Sequence, residues 1–233
     1  MISNTKCLLA LAAMSLLASC GDQTTNDLEL KAKSSNDLAS ATGEVSNNAA
    51  LFAAAEEFET LTESSFSADI ASREKTIAKV SNAAARVAKF ASPELAAQLQ
   101  THLGNIRAAQ KNNAPADLAI ASNEAFRVLV SAIAGNQKTP VNVSLLDYAG
   151  FRFDADAQAI PARFDDMEES VLFAQAQWAG IKSRPEIAKL SARFSASLDN
   201  MDLAARSGDV AKARAAAKVE LDMVDELETA FGQ

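Results

Sequence analysis

Helix-forming segments fill the chain from about residue 49 to its end. They are rich in Ala, Leu, Lys and Glu, and the whole chain of 233 residues contains only 8 glycines and 5 prolines. These residue types favour helices, and the alternating β-branched pattern typical of strands is scarce. Apolar residues recur instead at intervals of three, four and seven, which places them along one side of each helix. The pattern predicts an all-α fold, an antiparallel bundle of six or seven helices.

Short breaks set the boundaries of the predicted helices. Ser92 and Pro93 suit a helix start, because serine accepts hydrogen bonds from free backbone N–H groups and proline fits the first turn. Gly208 suits a helix end, and Asp209 suits the start of the next helix. The last three helices have very short connections and should pack as antiparallel neighbours. We expect helices over 48–64, 67–90, 93–111, 115–134, 162–181, 185–207 and from 210 onward.

The segment from Gly135 to Ile160 interrupts this rhythm. It contains Pro140, Gly150 and the single tyrosine of the sequence, Tyr148. A connection of this length either has a function or contains a short helix of its own. We expect a crossover with a short helix near 144–149.

Two helix junctions resemble each other, at 91–96 and at 183–188, and each contains a Pro-Glu pair. Such similarity can indicate an internal repeat, with 67–135 and 161–232 as two three-helix units joined by the crossover. Proline and glutamate are also common at any helix start, which accounts for the similarity without a repeat. Both interpretations stay open on the sequence alone.

The first twenty residues have the features of an export signal. Lys6 is positively charged, and the twelve residues from Cys7 to Ala18 carry no charge. This run is shorter than the roughly 20 apolar residues that span a bilayer, and it has the length of a signal-peptide apolar region. It ends at Leu17-Ala18-Ser19-Cys20. These residues resemble the lipobox of bacterial lipoproteins, and the resemblance implies cleavage before Cys20, a thioether-linked lipid on Cys20 and acylation of its amino group, for example with palmitate.

The sequence therefore divides into a lipoprotein signal peptide at 1–19, a flexible tether at 20–48 and a helical bundle at 49–233. The tether is rich in Ser, Thr, Asn and Asp, and as a coil it would reach about 30 Å from the lipid surface. The expected location is the bacterial cell envelope, with the mature domain exported from the cytoplasm. The sequence does not select between the inner and the outer membrane.

Charge and cysteine content narrow the possible partners. The net charge is −8, and it becomes one unit more negative once Lys6 is removed with the signal. An acidic chain repels phosphate groups, so nucleic acid is not an expected partner and membrane attachment depends on the lipid. The two cysteines, Cys7 and Cys20, both lie in the signal and lipobox, so the domain has no thiol for a disulfide, a metal site or a nucleophile.

Two groups of carboxylates are candidate metal ligands, because carboxylates from facing helices can hold hard cations in a bundle. One opens the predicted fifth helix and the other lies late in the last helix. A di-iron site would need Glu-x-x-His motifs, and the sequence has none. The alternative is an acidic first turn that stabilises its own helix, together with a solvated acidic face. The candidate ligands are Asp165, Asp166, Glu169 and Asp222.

A mixture of aromatic, cationic and anionic residues lies in and near the crossover. Aromatic side chains provide contact area and arginine provides paired hydrogen bonds, so such mixtures favour binding of a peptide, sugar or small polar ligand. The alternative is that Phe151 and Phe153 fill the end of the bundle while Arg152 pairs with a neighbouring carboxylate. The candidate contact residues are Tyr148, Arg152, Asp154, Asp156, Arg163 and Trp178.

Catalytic motifs are lacking. His102 is the single histidine, and the sequence has no nucleophile elbow, phosphate-binding glycine loop or zinc motif. We therefore expect no enzymatic activity and no cofactor, and we interpret His102 as a histidine at the edge of the core. The expected function is that of a lipid-anchored binding module for an envelope protein or small ligand. The alternatives are a metal or small-ligand carrier that uses the acidic clusters, and a structural spacer.

Overall fold

The computed structural model describes residues 47–232. The predicted signal peptide, Cys20 and nearly all of the predicted tether lie outside these residues. The described part of the chain forms eight α-helices and one 3₁₀ helix and has no strand, which confirms the predicted all-α bundle. The helices are α1 (47–64), α2 (Ile70–Val87), α3 (Pro93–Lys111), α4 (Pro115–Ser131), α5 (Val141–Gln158), α6 (Phe164–Ile181), the 3₁₀ helix Pro185–Ile187, α7 (Ser191–Ser207) and α8 (Val210–Gly232).

The predicted helix starts at Ser92 and Asp209 are confirmed by their hydrogen bonds. Ser92 Oγ accepts a hydrogen bond from the Leu95 N–H at 3.2 Å, which satisfies one free donor at the start of α3. Asp209 Oδ1 accepts from the Lys212 N–H at 3.1 Å at the start of α8. Before it, Gly208 ends α7 in the left-handed conformation with a φ of 67°, which glycine adopts without strain.

The helix α5 is central to the packing, since it contacts α4, α6 and α8. In addition α6 packs on α7 and α7 on α8, so α5 to α8 form a closed four-helix bundle. In the other half, α2 packs on α3 and α3 on α4. Ser122 Oγ on α4 donates to the Phe58 carbonyl of α1 at 2.7 Å, which joins α1 to this half. Apolar side chains from all eight helices form one continuous core.

The predicted crossover loop is wrong, because most of it is the 18-residue helix α5. Pro140 lies immediately before the helix, where its missing N–H costs nothing. Buried Val143, Leu146 and Phe153 give α5 an apolar stripe of helical spacing. Gly150 reads as a helix breaker, yet it lies inside α5 because a neighbouring side chain occupies the space of its missing Cβ.

The two similar junctions adopt different structures. Ser92 caps the 19-residue helix α3, whereas Arg184 precedes the short 3₁₀ helix Pro185–Ile187 and makes no side-chain cap. The predicted continuous helix over 185–207 is therefore interrupted, and α7 begins only at Ser191. The resemblance between the junctions does not extend to their backbone conformation.

Two large apolar residues are exposed at the starts of helices. Ile70 is 54% exposed and Val210 is 39% exposed. Each is the first residue of its helix.

The described residues include no helix with the length and apolar character needed to cross a membrane.

Candidate functional site

A groove runs between α1, α5 and α8. It consists of two adjoining cavities of about 550 and 440 Å³, here called lobe one and lobe two. Glu59 of α1 and Asp147 of α5 line both lobes and therefore mark their junction. Volumes of this size are typical of small-ligand sites.

The lining residues define how the helices run along the groove. From lobe one to lobe two, the lining advances on α1 from Phe52 to Glu63 and on α5 from Ser144 to Asp154. On α8 it goes backwards from Glu228 toward the start of the helix. The helices α1 and α5 are thus parallel along the groove, and α8 is antiparallel to both.

Eight carboxylates line the groove, against three cationic side chains. Asp154 lies 3.7 Å from Arg214, and Asp222 lies 2.7 Å from Lys218. The cation that lines lobe one, Lys138, donates a hydrogen bond to the carbonyl of Gly232. Six other carboxylates of the lining have no ion-pair or hydrogen-bond partner among residues 47–232: Glu56, Glu59, Glu63, Asp147, Asp225 and Glu228.

Burial and like charges raise the pKa values at the junction of the lobes. The pKa of Glu59 rises from its ordinary value of 4.5 to about 7, mainly through burial and then through the charges of Glu63 and Glu228. Burial, followed by the charge of Glu59, raises the pKa of Asp147 well above its ordinary value. No cation offsets this repulsion at the junction within the described residues, so a ligand cation would be stabilised there.

Glu220 of α8 lies behind the groove and is fully buried. Neither of its carboxyl oxygens has a hydrogen-bond partner within residues 47–232. Its carboxyl lies against Gly150 of α5, where a Cβ would overlap it. Gly150 lies between Asp147 and Phe151, which both line lobe two. Burial raises the pKa of Glu220 well above its ordinary value.

Four of the six predicted contact residues come together on another side of α5, in an ion-pair network around Glu124. Glu124 Oε1 accepts hydrogen bonds from the Tyr148 hydroxyl at 2.7 Å and from Arg152 Nη1 at 2.8 Å. Arg152 Nε also donates to Asp156 Oδ2 at 2.8 Å, and Arg163 Nη1 lies 3.9 Å from Asp156 Oδ1. We call these five residues the Glu124 network.

The side chains of the Glu124 network bind one another. Glu124 also accepts from Arg127 Nε, at 3.0 Å, so both of its oxygens have donors. Burial raises the pKa of Asp156 to about 6, although the Arg152 charge lowers it. This arrangement agrees with the alternative in which Arg152 pairs with neighbouring carboxylates. Phe153 is fully buried, as that alternative also expects, while Phe151 is half-buried and lines lobe two.

The remaining two predicted contact residues lie apart from the network. Asp154 faces α8 and lines lobe two of the groove. Trp178 is buried, donates its indole N–H to Ser195 Oγ at 2.9 Å and packs on Phe194. Trp178 therefore belongs to the core of the four-helix bundle.

The four candidate metal ligands are not gathered at one place. Asp165 and Glu169 are exposed on α6, and Asp166 lies 3.6 Å from Arg152. Asp222 lies on α8, pairs with Lys218 and lines lobe two. Within residues 47–232 no three His, Cys, Asp or Glu side chains are arranged to hold a metal ion. His102 is half-buried on α3, and burial lowers its pKa.

Sequence reasoning missed the carboxylates of α1. Glu56, Glu59 and Glu63 recur at intervals of three and four, beside the apolar stripe of Leu51 and Phe58. That spacing was available in the sequence as an acidic stripe next to an apolar one. Glu220 had a similar signal, since it continues the stripe of buried Ala213 and Ala217 on α8.

No known protein family, curated protein or solved structure matches the chain.

Proposed function

We propose that this chain is a lipid-anchored protein of the bacterial cell envelope that acts by binding rather than catalysis, and that the groove holds a small cationic ligand. The observation that carries the proposal is the junction of the two lobes. Glu59 and Asp147 meet there with raised pKa values and without a counter-ion among the described residues. The negative charges of the groove repel one another, so binding of a cation there lowers the free energy.

The walls of lobe one add a second kind of contact. Phe52, Phe126 and Val130 line this lobe beside the carboxylates. An apolar wall can contact the hydrocarbon part of an organic cation, which a solvated inorganic ion does not have. The groove therefore favours an organic cation over a simple ion.

The groove contains one residue from each of the two candidate sets predicted from the sequence, the contact residues and the metal ligands. Asp154, a predicted contact residue, and Asp222, a predicted metal ligand, both line lobe two. The Glu124 network is a weaker candidate for ligand binding because its charged groups already pair with one another, although Asp156 Oδ1 has no hydrogen-bond partner within residues 47–232. The proposed function is thus closest to the small-ligand carrier among the alternatives, with binding at the acidic residues of α1, α5 and α8.

The proposed anchor rests on the signal and lipobox, which end at Cys20. Two or three acyl chains, each contributing about 0.8 kcal/mol per buried methylene, would hold the protein firmly on the membrane. Labelling cells with radioactive palmitate tests this proposal. We expect the chain to take up label and the Cys20→Ala variant to take up none; an unlabelled wild-type chain would overturn the anchor and leave the groove unaffected.

Thermal unfolding in the presence of cations tests the ligand proposal. The chain, purified in detergent, is heated with mono-, di- and triamines, a guanidinium compound, Mg²⁺ or Ca²⁺, all at constant ionic strength. We expect at least one organic cation to raise Tm in the wild type and not in Asp147→Asn. The matched control is Asp199→Asn, which removes an exposed carboxylate from α7 outside the groove. If no cation raises Tm above sodium chloride, the proposed function is wrong.

A further inference from the structure

The carboxylates of the groove are arranged in successive tiers. Glu56 and Glu228 line lobe one, Glu59 and Asp147 lie at the junction, and Glu63 lines lobe two. Because a helix rises 1.5 Å per residue, Glu56 and Glu63 are separated by about 10 Å along α1. The negative charge is therefore spread along a line and is not concentrated around one point.

A second observation sets the middle tier apart from an ordinary acidic surface. Asp147 lies at the meeting point of α1, α5 and α8, and the charges of Glu59, Glu220 and Glu228 all act on it. Asp147 lines both lobes and has no ion-pair or hydrogen-bond partner within residues 47–232. The fully buried carboxyl of Glu220, which lies next to Gly150 on α5, has no partner within these residues either. Unpartnered buried polar groups are costly and rare in native structures, and a bound ion or ligand is one explanation for them.

Protein cations line both lobes of the groove, but they pair with groups other than the carboxylates of α1. Lys138 lines the far end of lobe one, where it binds the Gly232 carbonyl. Arg214 and Lys218 line lobe two and pair with Asp154 and Asp222. Within residues 47–232, Glu56, Glu59 and Glu63 make no ion pair with any of these cations, so α1 presents three unpaired carboxylates to a ligand.

From this geometry we infer that the ligand is a linear aliphatic oligoamine, with ammonium groups on successive tiers and methylene segments against the apolar walls. The inference rests on the proposed function and specifies its ligand class. The end nitrogens of extended spermidine are separated by nine single bonds of about 1.5 Å, a span of roughly 11 Å. That span matches the carboxylate spacing along α1. A single metal ion would contact one tier only.

Calorimetric titration of the detergent-purified chain at constant ionic strength tests the inference. The probes are butylamine, 1,4-diaminobutane, spermidine, Mg²⁺, a lysine tripeptide and hexaamminecobalt(III), which is trivalent like spermidine but compact. We expect affinity to rise about tenfold with each added amine, and spermidine to bind at least tenfold more tightly than hexaamminecobalt(III). We also expect Asp147→Asn to weaken spermidine binding about tenfold and Asp199→Asn to leave it unchanged.

The outcomes separate the two proposals. If hexaamminecobalt(III) or Mg²⁺ binds as tightly as spermidine, or if chain length has no effect, the oligoamine inference fails while a cation-binding groove remains. If the lysine tripeptide binds more tightly than spermidine, the ligand is a cationic peptide and the inference also fails. If no probe binds, the proposed function fails as well. Equal losses in Asp147→Asn and Asp199→Asn would mean non-specific attraction to an acidic protein, which overturns the inference.

Discussion

Asp156 of α5 and Glu220 of α8 both have fully buried carboxyl groups that lie against α5, on different sides of that helix. Their surroundings are opposite. Asp156 accepts a hydrogen bond from Arg152 at 2.8 Å, and Arg152 also binds Glu124. Glu220 has no partner within residues 47–232 and lies behind a groove in which six carboxylates are unpaired among the same residues. The same helix therefore separates a compensated set of charges from an uncompensated one. We expect the compensated set to stabilise the fold, and we propose that the uncompensated set binds a ligand.

The Arg152→Ala substitution should have the largest effect, because it converts the compensated side into an uncompensated one. Asp156 would lose its main counter-ion, and Glu124 would keep only Arg127 and Tyr148. Breaking a buried ion pair typically costs about 3 kcal/mol or more. We expect urea unfolding at pH 7 to show a fall of about 3 kcal/mol in the free energy of unfolding.

The matched control for that substitution is Arg193→Ala. Arg193 forms a similarly short pair with Glu226, at 2.8 Å, but its side chain is 59% exposed. Exposed pairs contribute roughly 0 to 1 kcal/mol. Equal losses in the two variants would mean that the Glu124 network has no special role in the fold.

Replacing Glu220 by methionine should have the opposite sign. Methionine removes an unpartnered buried carboxyl and keeps a side chain of similar length against Gly150. Because an unsatisfied buried polar group costs about 1 to 3 kcal/mol, we expect Glu220→Met to raise the free energy of unfolding by about 1 to 2 kcal/mol. Urea unfolding measures this change, with the exposed Glu168→Met as control. A loss of stability in Glu220→Met alone would show that the carboxyl makes a favourable interaction.

The apolar stripes and most helix boundaries could be predicted from the sequence because they depend on local spacing and capping. The helix α5 could not, since Gly150 reads as a breaker until the Glu220 side chain, 70 positions away, is placed against it. The groove could not be predicted for the same reason, since residues far apart in sequence line it. Glu59 is visible as part of an acidic stripe, but nothing near it in sequence indicates that it faces Asp147. The contact residues were proposed from their composition, a mixture of aromatic, cationic and anionic side chains in a short stretch. That Tyr148, Arg152 and Asp156 share one side of a helix could be seen only once α5 was known.

The pH dependence of stability tests whether the carboxylates of the groove are uncompensated. The pKa of Glu59 is raised from 4.5 to about 7 in the folded chain, so folding favours the protonated form. The stability associated with this group is present below about pH 4.5 and is lost as the pH rises through about 7.

The Glu59→Gln variant removes this titration. Above pH 7 we expect the variant to be more stable than the wild type by about 1 kcal/mol, a figure reduced for solvent screening, and to be equally stable near pH 4. Urea unfolding across this pH range measures the difference. The control is Glu168→Gln on α6, which should follow the wild-type curve; if Glu59→Gln also follows it, Glu59 does not hold the extra proton.

The smallest expected change in stability comes from Arg214→Ala. This substitution removes the cation that pairs with Asp154 and so leaves one more carboxylate of the groove unpaired. Arg214 is 55% exposed and lies 3.7 Å from Asp154, so its loss should change the free energy of unfolding by less than about 0.5 kcal/mol. It also removes a cation from lobe two, where Arg214 lowers a pKa of Asp154 that burial raises. Spermidine should therefore bind several-fold more tightly to this variant, as measured by calorimetry. Arg206→Ala is the control, because Arg206 is 64% exposed and pairs with Asp202 outside the groove. An equal gain in both variants would mean that spermidine responds to net charge, whereas a gain confined to Arg214→Ala places the ligand beside Asp154.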